Sequence, residues 1–282
     1  MHEAHAAGLR LIATGILAVL CLAACASPAR HADDLARRSG FTRELVTGDG
    51  FLHRIYRNSA AVRAARAGAP FAAAGTLHIY IDGDGTPYLH ADLVAADPTP
   101  HDPLMLRLMA LDRAPSVYLG RPCYFEPDRD PACRSIFWTL RRYGPEVLAS
   151  MEAVLRAERD RAGANRVVLF GHSGGGTLAM LLAQRIDAVV RVVTIGANLD
   201  VGAWCRLHHY TALSGSEDPV DEPPRVGLQT LHLVGADDSN TPPALVSAAA
   251  RARGGEPVRV LAHLDHNCCW EPVWPGILAE AP

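Results

Sequence analysis

The sequence predicts an α/β chain built on an open, mostly parallel sheet with helices on both faces. Three observations carry this. Short, nearly continuous apolar runs recur at Thr76–Ile81 (TLHIYI), Val167–Phe170, Val189–Ile195, Leu228–Val234 and Val258–Leu261. Strands buried on both faces need such runs, whereas a half-exposed strand would alternate. Segments of helical period lie between them, the clearest from Pro145 at a helix N1 position to about Ala162. Finally, Arg166 to Leu182 (RVVLFGHSGGGTLAMLL) passes from a β-branched run through glycine into an alanine- and leucine-rich helix.

Composition narrows the function classes. The chain has 282 residues, 49% hydrophobic and 20% charged, with a formal net charge of −3. That is a globular chain able to bury a large core. All 27 basic residues are arginine, spread along the chain without a basic run, so nothing supports a nucleic-acid partner. The absence of lysine also excludes a phosphate loop of the form G-x-x-x-x-G-K-[ST] at the glycine-rich corner.

The corner itself reads Gly171-His172-Ser173-Gly174-Gly175, a G-x-S-x-G pentapeptide between a strand and a helix. A serine lifted onto so sharp a turn sits in a strained backbone conformation. Glycines two residues on either side let strand and helix pass without Cβ clashes. The helix N-terminus then aims N–H groups at charge developing beside Ser173 Oγ.

Upstream, residues 26–40 are small, polar and charged, which predicts a tether. Phe41–Gly48 and Phe51–Tyr56 alternate around Gly48-Asp49-Gly50 and predict an antiparallel hairpin. Ala60–Ala74 is ambiguous between helix and edge segment. Thr76–Ile81 runs into Asp82-Gly83-Asp84-Gly85, a string that lacks the later glycine and acidic ligands of a calcium loop. His101–Arg113 has helical spacing, and Ser116–Leu119 reads as a short strand. The loop Arg121–Ser135, bracketed by Cys123 and Cys133, is expected at the rim of a site, with Tyr124 on it. Between the strands at Val189 and Leu228, the connection is too short for a large lid. It carries Trp204 and the His208-His209 pair, which lacks the carboxylate spacing of a metal site and is expected to line the pocket or pack on Trp204.

Two further turns carry chemistry. Leu228–Val234 ends in Gly235-Ala236-Asp237-Asp238, with Pro242 four residues after Asp238. After Val258–Leu261 comes Ala262-His263-Leu264-Asp265-His266-Asn267-Cys268-Cys269-Trp270. The strand ending in G-x-x-D resembles the acid turn of the α/β-hydrolase family, and the match falls on Asp238, with Asp237 as the alternative. In that family the base follows the last strand. His266 fits that placement, being nearer the final helix, and His263 is the alternative. The order Ser173, Asp238, His266 is the α/β-hydrolase order.

The resemblance covers about residues 41–282 and implies a single α/β-hydrolase domain without a large lid. It implies a serine hydrolase that cleaves carboxylic esters through an acyl-enzyme. Ser173 would attack, His266 take its proton and Asp238 fix the imidazole. Backbone N–H groups of Gly174 and of Asp84, or else Gly83, would hold the oxyanion. No metal or cofactor is implied. A thioesterase, amidase or peptidase with the same triad, or a catalytically silent envelope protein keeping the fold as a binding module, are the rival readings.

The N-terminus looks like an export signal. Arg10 precedes an apolar run, Leu11–Ala24, too short to span a bilayer comfortably. Leu22-Ala23-Ala24-Cys25 resembles the bacterial lipobox, which implies removal of the preceding segment and lipidation of Cys25. Together with I-D-G-D-G and D-H-N-C-C-W, the chain resembles exported α/β-hydrolase lipoproteins of Gram-negative bacteria, with a periplasmic site at the outer membrane, or plain secretion as the alternative. In such a compartment disulfides are expected. Cys123 with Cys133 is a plausible local staple, and Cys205 with Cys268 or Cys269 a longer one, with one thiol left over.

Overall fold

The computed structural model describes residues 27–66, 75–90 and 92–280. The expectations for Cys25 and for the end of the Ala60–Ala74 segment lie outside the described residues. In chain order the strands are β1 (Thr42–Thr47), β2 (Leu52–Arg57), β3 (Thr76–Ile81), β4 (Tyr88–His90), β5 (Leu93–Val94), β6 (Ser116–Leu119), β7 (Arg166–His172), β8 (Val189–Ile195), β9 (Gln229–Gly235) and β10 (Val258–Leu261). The helices are α1 (Pro28–Arg38), α2 (Ser59–Arg66), α3 (Leu104–Met109), α4 (Pro145–Ala162), α5 (Gly174–Arg185), α6 (Val201–Leu207), α7 (Pro243–Ala252) and α8 (Trp274–Ala279).

Eight strands form one sheet in the order β1-β2-β6-β3-β7-β8-β9-β10. β6, β3, β7, β8, β9 and β10 run parallel, and the hairpin β1–β2 joins antiparallel at the β6 edge. The central strands are mostly apolar because they feed two cores in alternation. Val167 and Leu169 of β7 pack in one, with α4, α5 and α7. Val168 and Phe170 pack in the other, with α1, α3 and α8. There Phe170 stacks on Tyr80 at 4.8 Å and meets the edge of Trp274 at 5.3 Å.

Four expectations are corrected. The segment predicted as a tether, residues 26–40, contains α1, capped by Ser27 with Pro28 in its first turn. Ala29, Ala32 and Ala36 are buried on one face, so the small residues serve close packing. Asp33 then accepts hydrogen bonds from Arg54 Nη1, Arg43 Nη1 and Tyr56 OH, each at 2.7 Å, tying the helix to the hairpin. Second, α3 is shorter than the span His101–Arg113. Pro103 precedes it, and beyond it the Asp112 carboxylate is pulled aside by His78 Nδ1 (2.6 Å), Tyr80 OH (2.7 Å) and Ser116 Oγ (2.9 Å). Third, the Cys123–Cys133 disulfide forms, but Cys268 pairs with Cys269 and Cys205 is a free, buried thiol. Cys205 sits on α6 among core residues, so it pairs with neither. Fourth, Tyr124 is not on a rim. It is buried, and its OH donates to the Asp84 carbonyl at 3.0 Å.

One buried group makes a stability prediction. His53 of β2 is fully buried, with Nδ1 at 2.9 Å from the Gly120 carbonyl and Nε2 at 2.7 Å from Ser150 Oγ. Burial pulls its pKa down from 6.5 to about 4, although the Gly120 carbonyl and Asp130 oppose this. With the folded pKa depressed, the unfolded chain binds more protons between these values, so stability falls as pH drops from about 6.5 towards 4. Between pH 7 and 4.5, wild type should lose about 2 kcal/mol more than His53→Gln in urea titrations. Equal losses would refute the assignment.

Candidate active site

β7 delivers Ser173 to the corner with φ 51° and ψ −124°, a strained conformation for a residue with a side chain. Close approach dictates the glycines. A Cβ on Gly171 would lie 2.5 Å from the Gly175 carbonyl oxygen, and one on Gly175 would lie 2.3 Å from that of Ile81. Gly176, which the pentapeptide does not include, has the same reason, since its Cβ would come within 2.5 Å of Ala197 Cβ. Ser173 N–H donates to Ile195 O at 2.8 Å, fixing the corner to β8.

The acid comes from the turn after β9. Asp238 is buried, while the alternative Asp237 is exposed. Asp238 Oδ1 accepts the N–H groups of Asn240 (2.9 Å) and Thr241 (2.7 Å), and Oδ2 accepts Thr241 Oγ1 at 3.0 Å. His266 Nδ1 lies 2.8 Å from the same Oδ2. Burial raises the Asp238 carboxyl, but the His266 and Thr241 bonds outweigh it and hold the group below its usual range. His263, the other histidine considered, is exposed at φ 62° on the turn after β10.

A carboxylate facing Nδ1 keeps the proton there and leaves Nε2 with its lone pair. That lone pair meets Asn240 Nδ2 at 2.9 Å. Among the described residues no hydrogen bond joins Ser173 Oγ to His266, although both line one cavity of about 1090 Å³. No motif in the sequence singles out Asn240. His172, the variable position of the pentapeptide, was also missed. Its Nε2 lies 2.8 Å from the His266 carbonyl, and its Nδ1 lies 3.7 Å from Asp82. It therefore ties the histidine loop to the corner.

The loop after β3 closes the other side. A Cβ on Gly83 would lie 3.2 Å from Ser173 Cβ, so Asp82–Gly85 runs against the corner. Gly83 N–H is directed to Asp82 Oδ1 at 3.2 Å, whereas the N–H groups of Asp84 and Gly174 have no partner among the described residues. The side chain of Asp84 has a role that the sequence did not disclose. Its carboxylate bonds Arg121 Nη1, Arg142 Nη1 (2.9 Å) and Tyr143 OH (2.7 Å), side chains distant in sequence. Burial alone would raise this carboxyl, but Arg142 and Arg121 hold it far below the carboxylate range. The far wall of the cavity is aromatic: His208 and Tyr210 stack at 5.3 Å beside Trp204, as expected for that stretch.

Burial lowers the His266 pKa, with the Asp238 bond opposing and His172 adding to the decrease. Its imidazole should therefore titrate below 6.5 in a pH series of NMR spectra. Asp238→Asn should lower the midpoint further, and Asn240→Ala should raise it by freeing the neutral lone pair. A midpoint above 6.5 in the wild type would contradict this arrangement.

No family model matches the chain, and no curated protein does. Solved structures do. A bacterial membrane phospholipase A described as a virulence factor superimposes with a TM-score of 0.57 at 14% identity, over 99% of this chain and 100% of that one. Est1E from Butyrivibrio proteoclasticus gives 0.54 at 14% identity, over 84% and 96%. A lidless α/β serine hydrolase from Xanthomonas campestris gives 0.50 at 12%, over 84% and 90%. Between β8 and β9 this chain likewise carries only α6 and a short 3₁₀ turn at Pro219–Asp221. With its parallel sheet order and the serine corner at the end of β7, the chain has the α/β-hydrolase fold.

Proposed function

We propose that the chain is a serine hydrolase acting on carboxylic esters. The observation that carries this reading is the 2.8 Å Asp238–His266 pair, whose histidine shares a cavity with Ser173 on its strained corner. In the reaction, Ser173 Oγ attacks the ester carbonyl as His266 Nε2 takes its proton, and Asp238 stabilises the imidazolium. Before that transfer, Nε2 is released from Asn240 and turned to the serine. Catalytic hydrogen bonds of this kind commonly tighten only with substrate in place. The unpartnered N–H groups of Gly174 and Asp84 are the donors for the oxyanion. The imidazolium returns its proton to the leaving alkoxide, and water deacylates the serine by the same route.

The lidless neighbour and the phospholipase A lend support at the level of fold. Thioester or amide cleavage by the same residues is the second reading, and it would show as a higher kcat/KM on those members of a substrate panel. Ser173→Ala should lower kcat on a 4-nitrophenyl ester by roughly 10⁴- to 10⁶-fold. A fluorophosphonate probe should label the wild type and not this variant. Undiminished hydrolysis by Ser173→Ala would refute the assignment, and absence of labelling would favour a binding module. In the wild type, kcat/KM should fall on the acid side with a midpoint below 6.5, following the depressed His266.

We also propose that Cys25 carries the lipid that holds the domain at the envelope, on the resemblance of Leu22–Cys25 to the lipobox. Metabolic labelling with an alkyne fatty acid should mark the full chain and not Cys25→Ser. Labelling that survives the change would exclude this attachment.

A further inference from the structure

We propose that Arg142 makes the cavity beside Ser173 a subsite for a negatively charged group of the substrate, a carboxylate or phosphate carried near the scissile ester. The proposal rests on the ester-hydrolase reading and adds a substrate class to it. Arg142 is only 5% exposed, yet it lines the cavity together with Ser173 and His266. Its Nε donates to Thr139 O at 2.7 Å and its Nη1 to Asp84 Oδ2 at 2.9 Å. Its Nη2 has no partner among the described residues.

The local charges do not balance through direct contacts. Asp84 is shared between two guanidiniums, Arg142 and the buried Arg121, and also accepts Tyr143 OH. Arg121 gives its Nη2 to the Arg142 carbonyl at 3.0 Å, and its Nε is buried without a partner. The other buried carboxylate of the wall, Asp82, is occupied by the N–H groups of Gly83 (3.2 Å) and Met105 (3.1 Å) and by Tyr118 OH (3.5 Å). Its nearest ring neighbour is His172 at 3.7 Å, not an arginine. Asp92 and Asp102 also line the cavity and are exposed, and Asp102 pairs with Arg107. Two guanidiniums thus share one carboxylate, and an anion entering from the cavity would supply Arg142 with a second partner.

The surroundings favour the same ligand. The guanidinium fork suits a carboxylate or phosphate. The N-terminus of the 12-residue α5 opens into the same space and adds positive potential. A cavity of about 1090 Å³ also has room for a second substituent beside a short acyl group. A neutral ester leaves Arg142 Nη2 unpaired, whereas an anionic ester pairs it.

The test compares charged and neutral esters on the purified full-length protein. One arm sets the 4-nitrophenyl monoester of adipic acid against its methyl ester, placing a carboxylate on the acyl side. The other sets 4-acetoxyphenyl phosphate against its dimethyl ester, placing the anion on the alcohol side. The wild type should favour the anionic member by at least about tenfold in kcat/KM in one arm, as a charge-assisted bond implies. Which arm responds identifies the source of the anion.

Arg142→Gln should bring that ratio to about one, and Arg142→Lys should keep part of it. Reading a ratio within each variant cancels any general loss caused by loosening the Asp84 loop. Arg121→Gln loosens the same loop but leaves Arg142 in the wall, so it should retain the preference. A wild-type ratio near one in both arms overturns the proposal without reference to any variant. So does a ratio that survives Arg142→Gln, or one that Arg121→Gln abolishes equally. Failure of the neutral esters and of fluorophosphonate labelling together would instead refute the ester-hydrolase reading.

Discussion

The close approach of β7, α5 and the end of β3 is the constraint on which the molecule depends. Three backbones meet where a Cβ on Gly171 or Gly175 would stand about 2.5 Å from a carbonyl oxygen, and one on Gly176 would meet Ala197 beyond β8. Only there can Ser173 leave a central strand and start a helix while pointing its hydroxyl into a cavity. The positive φ of Ser173 costs on the order of 1–3 kcal/mol. That cost is offset by α5, whose first ten residues are all buried between α4 and the sheet. The strain is therefore held in place by packing on both sides of the corner.

The same crowding creates an electrostatic problem that the arginines solve. A Cβ on Gly174 would fall 2.1 Å from Asp84 Oδ1, so a carboxylate sits against the segment whose N–H is the proposed oxyanion donor. A bare negative charge there would oppose an oxyanion. Arg121 and Arg142 neutralise it and, with Tyr143, fix the loop so that the Asp84 N–H stays free rather than turning to a local acceptor. Gly83, one residue earlier, shows the alternative, with its N–H already spent on Asp82.

Much of this was legible in the sequence, for physical reasons that also mark the limits. Strands such as Val189–Ile195 announced themselves because both faces feed a core, whereas Asp238, with Asp237 as the alternative, was reached through the resemblance of its G-x-x-D turn to the α/β-hydrolase acid turn. Helix α1 was not legible. Its buried face is alanine, and alanine among arginines and aspartates reads as a solvated tether until a partner surface is known. The carboxylate of Asp84 was equally hidden, because its partners lie 37, 58 and 59 residues away in sequence. Cys205 misled because spacing says nothing of depth, and α6 places that thiol in the core.

Asn240 shows how the cavity wall reaches the base. His208 Nε2 donates to the Asn240 carbonyl at 2.7 Å, and His208 itself packs against Trp204 and Tyr210. The Asn240 N–H is bound to Asp238 and its side chain to His266 Nε2. A single residue thus contacts the aromatic wall through its carbonyl, the acid through its N–H and the base through its amide. In the proposed mechanism the Nε2 lone pair must leave this amide before it takes the Ser173 proton. The aromatic wall and the proposed base are in this way connected through one asparagine.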